Sequence, residues 1–159
     1  MDRGMQTTPP MPAMDAAAPR RARRAGTGDA VLIVDVDQFA AIRAMHGTEA
    51  GEQVTRAVAD CLRRRLRSED RLALLREDEF LAVLPGATEE LLPVIVYRLR
   101  AGIEGLRLAL AGRVWTLSCT IGAAAATRGS RPCGLEGLVR EADIELHRAR
   151  RAAAGRLDG

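Results

Sequence analysis

Ala30-Val31-Leu32-Ile33-Val34-Asp35-Val36-Asp37 is a continuous apolar run that closes on carboxylates. Such a run reads as a buried central strand. Outward from it, the spacing predicts two helices, a short one over Gln38–His46 and a longer one over Thr48–Arg67. The longer helix carries Val54, Ala57, Val58, Cys61, Leu62 and Leu66 at helical intervals. Two apolar segments, Arg71–Leu75 and Phe80–Leu84, are joined by Arg76-Glu77-Asp78-Glu79, which implies a hairpin. A helix starts at Thr88, with Glu89 and Glu90 in its first turn and Pro93 near its start, and runs to Ile103. Strands over Leu106–Leu110 and Val114–Ala125 and a last helix over Leu135–Ala153 complete the chain. This order predicts an α/β (α+β) domain: a central mixed, mainly antiparallel sheet covered by helices.

The 159 residues suit one domain, read as residues 29–159 behind a Pro/Ala/Arg-rich tail at residues 1–28. A globule of that size buries roughly two-thirds of its unfolded surface and needs no disulfide or metal staple. The three cysteines are odd in number and far apart, which argues against a disulfide framework or a zinc site. Cys61 and Cys119 read as core residues, and His46 and His147 lack partners at metal-ligand spacing, His147 reading as packing. No apolar run is long enough to span a membrane and no signal segment precedes the domain, so a cytoplasmic location is expected. Aromatics at 3% and a net charge of +3 make nucleic acid an unfavoured partner. All 24 basic residues are arginine, whose planar fork suits phosphates and guanine edges.

Separated pieces, in order, resemble the GGDEF family of diguanylate cyclases. They are Val34-Asp35-Val36-Asp37-Gln38-Phe39 with Ile42, then His46 to Glu52, then Arg67-Ser68-Glu69-Asp70 and, after five residues, Arg76-Glu77-Asp78-Glu79-Phe80. Leu117–Ala123 resembles that family's late strand, and Glu141 to Arg150 its last helix. The resemblance covers Ala30 to Arg156 and implies a fold like that of class III nucleotidyl cyclases. It also implies chemistry in which the 3′-hydroxyl of one GTP attacks the α-phosphate of another, assisted by divalent metal on carboxylates. The positions that hold metal in the family are Asp35 and Asp78 here, with Glu79 beside them.

The substrate half departs from the family pattern. The two signature glycines are Arg76 and Glu77, where side chains are expected to fill the nucleotide's space and to disturb a turn with unusual dihedrals. At ~5 Å and an effective dielectric of ~20, the extra carboxylate of Glu77 opposes a phosphate by roughly 3 kcal/mol. The family's guanine-binding asparagine is Arg43, which accepts no hydrogen bond, and its aspartate is Glu52. The last-helix lysine is Arg150, with Arg156 as a displaced substitute for a missing arginine at Ala154. These departures lead to the expectation that the domain is not an enzyme and requires no cofactor, with Mg2+ entering only if GTP binding survives.

The regulatory half matches the family. Its RxxD motif, an inhibitory site for cyclic di-GMP, falls on Arg67 and Asp70, with Arg98 as the completing arginine. The arginines fork onto guanine O6 and N7 or pair with phosphates, and Asp70 accepts from the guanine N1 and N2 protons. The reading that follows is a catalytically inactive cyclic di-GMP receptor acting through an unidentified protein partner or a ligand-linked homodimer. The alternatives are a divergent diguanylate cyclase and a ligand-independent interaction module.

Overall fold

The computed structural model describes residues 28–126 and 134–155. The tail over 1–27, Cys133 and Arg156 lie outside the described residues. The chain runs β1 (Ala30–Val36), α1 (Phe39–His46), α2 (Thr48–Arg65), β2 (Arg71–Arg76), β3 (Glu79–Leu84), a 3-10 turn (Glu89–Leu91) and α3 (Leu92–Glu104). It continues through β4 (Leu108–Leu110), β5 (Arg113–Trp115) and β6 (Cys119–Ala125) to α4 (Gly134–Ala154). The four-stranded sheet has the order β2-β3-β1-β6, and each of its pairings is antiparallel. The helix-covered sheet expected from the sequence is therefore present.

All seven residues of β1 are buried, because both faces of the sheet are covered. Ala30, Leu32, Val34 and Val36 point into a large core with Phe39 and Ile42 of α1, Val54, Val58 and Leu62 of α2, and Leu99 and Ile103 of α3. The alternate residues Val31 and Ile33 meet Leu138, Ala142 and Leu146 of α4 on the other side. Gly122 lets α4 approach β6 closely, since a Cβ there would collide with the Ala142 carbonyl and the Leu146 backbone.

Two elements differ from the sequence reading. The single strand expected over Val114–Ala125 is two, β5 pairing only with β4, and β6 with β1. Leu117 turns into the core between them. Asp37 fixes the switch by accepting from Ser118 Oγ at 2.7 Å and Thr120 Oγ1 at 2.8 Å. The helix expected from Thr88 opens as a 3-10 turn, and Pro93 stands at the first positions of α3, where its missing N–H costs nothing.

Candidate functional site

Asp35 is the last carboxylate inside the sheet, paired across to Glu79 on β3 and Thr120 on β6. The Val36 N–H donates to the Asp78 carbonyl at 2.9 Å, which fastens the hairpin tip to the end of β1. Asp35 is only 6% exposed and forms an ion pair with Arg150 of α4. Burial pushes its carboxyl above the ordinary value. Arg150 opposes that push, and the charges of Asp78 and Asp37 add to it. Three elements therefore converge on one carboxylate, with Asp78 close enough to repel it.

Beside this cluster lies a cavity of about 600 Å3 lined by Phe39, Ala40, Arg43, Ala44, Gly47, Thr48, Arg76, Glu77 and Asp78. Arg76 and Glu77 thus stand on its wall and do not fill it. Among the described non-glycine residues only Gln38 and Ala111 have left-handed φ, so the hairpin takes Arg76 and Glu77 without strained dihedrals. A register shift between Leu74 and Arg76 absorbs the turn. Nor is the Glu77 charge left facing the cavity alone, because Arg43 Nη1 donates to Glu77 Oε2. Both side chains are about half exposed, so this pair contributes at most ~1 kcal/mol.

Helix α2 braces both partners. Gly51 brings it close to α1: a Cβ there would meet Phe39 Cζ at 3.3 Å and Arg43 Cγ at 3.6 Å. One turn later Thr55, buried, donates from its hydroxyl to the Glu77 carbonyl at 2.6 Å. Sequence reasoning missed Thr55 as a supporting residue. Its signal was a polar residue on the apolar face of α2, beside Val54 and Val58. Glu52, by contrast, does not line the cavity, and its carboxylate lies 3.5 Å from Arg56 Nη2. His147, expected to pack, is exposed, and its Nδ1 lies 2.8 Å from the Asp143 carbonyl oxygen.

The residues of the RxxD motif lie at the far end of β2. The Arg67 N–H donates to Asp70 Oδ2 at 2.7 Å, and Asp70 N–H returns to the Arg67 carbonyl at 3.2 Å. Arg98 Nη2 donates to the Arg65 carbonyl at 2.9 Å, so α3 places that guanidinium beside the end of α2. Arg67, Asp70 and Arg98 are thereby gathered around one helix terminus. With β2 between them at about 3.3 Å per residue, this cluster lies roughly 17 Å from the hairpin tip.

Residues 15–156 match the family described as diguanylate cyclase, GGDEF domain. The chain belongs to the GGDEF domain family. It is 33% identical over 132 residues to the diguanylate cyclase DgcP of Pseudomonas aeruginosa, covering 82% of this chain and 19% of that protein. It is 34% identical over 138 residues to the diguanylate cyclase DosC of Escherichia coli, covering 86% of this chain and 29% of that protein. The chain thus spans less than a third of these curated relatives. Among solved structures, the GGDEF domain of YfiN (TpbB) from Pseudomonas aeruginosa is 31% identical with a TM-score of 0.69, covering 78% of this chain and 76% of that one. The GGDEF domain of DgcB from Caulobacter crescentus, solved in complex with c-di-GMP, shares the fold at TM-score 0.70 and 19% identity, covering 78% of this chain and 72% of that one.

These relationships correct one expectation. The sequence reading held that the GGDEF domain is not an enzyme, whereas the matched family and the relatives DgcP and DosC carry the name diguanylate cyclase. At the positions of the two signature glycines, Arg76 and Glu77 line an open cavity, and Glu77 pairs with Arg43 on its wall.

Proposed function

We propose that this GGDEF domain is a divergent diguanylate cyclase, which condenses two GTP molecules into cyclic di-GMP and binds that dinucleotide at its RxxD turn. The observation that carries the reading is the convergence of Asp35, Asp78 and Glu79 at the hairpin tip beside the 600 Å3 cavity. Departures from the signature, REDEF in place of GGDEF, are accommodated at its rim.

The donor set suits a magnesium–nucleotide complex. Mg2+ takes one or two protein carboxylates and completes its shell with phosphate oxygens and water. Asp35 and Asp78 would hold it, since their charges already interact. Among the described residues no group of three or more His, Cys, Asp and Glu side chains is placed to hold a metal ion, so the phosphates must supply ligands. Bound there, the ion would neutralise charge developing on the α-phosphate. Arg150, 41% exposed in its side chain, holds Asp35 and can turn toward the phosphates once a cation takes that carboxylate. With one GTP held at this cavity in each domain, two copies face each other for the two GTP molecules to react.

At the second cluster, the exposed Arg67 and Arg98 supply forked donors and the half-buried Asp70 an acceptor. That set complements a guanine edge and its phosphate. Incubation of the protein with GTP and Mg2+ or Mn2+, followed by chromatography, tests the cyclase. Calorimetry with cyclic di-GMP tests the RxxD turn, with binding expected for the wild type and abolished in Arg67→Ala. Product formation supports the reading. Absence of product with either metal overturns it.

A further inference from the structure

We infer that Arg43 and Glu77 together form the base-reading pair of the cavity, selecting guanine by gripping two of its edges at once. The inference rests on the proposed use of GTP and assigns its base specificity to residues that face each other across the cavity wall.

Guanine presents two acceptors, O6 and N7, on one edge and two donors, N1–H and N2–H, on the adjoining edge. The Arg43 guanidinium is a donor fork and suits the first edge. The Glu77 carboxylate is an acceptor fork and suits the second. Adenine fails on both counts, because it sets an N6–H donor beside N7 against the arginine and an N1 acceptor against the carboxylate. In the protein alone the two side chains satisfy each other. Their side chains are 46% and 57% exposed, so the bond is a weak one in water and yields to a ligand that replaces it with two sets of charge-assisted hydrogen bonds.

The surroundings support the assignment. Ala40 and Ala44, one helical turn apart, and Phe39 give the cavity an apolar wall against which a base can lie. Gly51 allows the Arg43 stem to lie on α2, and Thr55, four residues on, holds the Glu77 backbone. A single rigid helix therefore sets the separation of the two forks. Preorganisation of this kind limits what ordering the side chains costs on binding.

Binding of GTP, ITP and ATP to the full chain, measured alongside turnover of GTP and ITP, tests the pair. ITP lacks only the N2 amino group. The wild type is expected to bind GTP at least about tenfold tighter than ITP, and ATP weaker than either. Glu77→Ala should bring the GTP/ITP ratio to within about twofold and relax the rejection of ATP. Arg43→Ala should weaken GTP and ITP by the same factor, because both carry O6 and N7. Glu77→Asp should recover part of the ratio, which a merely structural role would not produce. No GTP binding by the wild type, or a GTP/ITP ratio untouched by Glu77→Ala, overturns the inference. Guanine-selective binding without turnover leaves the pair standing and overturns the cyclase reading.

Discussion

Asp35 shows how one side chain can couple stability to the chemistry of the site. Its carboxyl is raised by burial, so the folded state binds its proton more tightly than the unfolded chain does. Stability contributed by this group therefore falls as pH rises from the ordinary value of 3.8 through the raised one, and is flat beyond it. Urea unfolding between pH 4 and 7 should show this loss in the wild type and not in Asp35→Asn, and parallel pH profiles would contradict it. Burial likewise pushes the Cys119 thiol up to about 12, and it raises Cys61 as well. Both should resist a thiol reagent in the native protein and react only at the rate of unfolding. Protection of these sulfurs was legible in the sequence, because Cys61 falls on the apolar face of its helix and Cys119 within a strand. The Arg43–Glu77 bond was not legible, because 34 positions separate its partners and only the packing of α1 against the hairpin joins them.

At the scale of elements, the contacts of two glycines predict opposite outcomes. Gly122 faces backbone of α4, which cannot yield without separating helix from sheet. Gly122→Ala should therefore destabilise by about 3 kcal/mol in chemical denaturation. Gly102 in α3 faces the movable end of the Arg65 side chain, and alanine favours a helix by roughly 1 kcal/mol over glycine. Gly102→Ala should change stability by less than about 1 kcal/mol in the same measurement. A large loss there would mean that Arg65 is fixed on α3. Helices and strands with regular periodicity were readable from the sequence within one or two residues at most ends. The break between β5 and β6 was not, because Val114 to Ala125 has no proline and no polar interruption stronger than Thr116 and Ser118. What splits it is tertiary: Leu117 turns inward and Asp37 captures the hydroxyls of Ser118 and Thr120.

Across the whole molecule, the carboxylate cluster and the RxxD turn sit at opposite ends of β2, the edge strand of a sheet whose central strand β1 is buried on both faces. Their positions in the chain were legible because the spacing between Asp70 and Asp78 is fixed by one strand and a hairpin. The state of the cavity beside the hairpin was not, because composition alone cannot show whether Arg76 and Glu77 point in or out. If the RxxD turn binds the product of the same domain, added cyclic di-GMP should slow GTP turnover in the wild type. Arg67→Ala should be insensitive to it at unchanged initial rate. The most direct measurement is GTP turnover with Mg2+ and with Mn2+, resolved by chromatography, for the wild type beside Asp78→Asn. Cyclic di-GMP made by the wild type and lost by at least about a hundredfold in Asp78→Asn is the predicted result. A folded wild type that makes none with either metal, or an equal yield from Asp78→Asn, would contradict it.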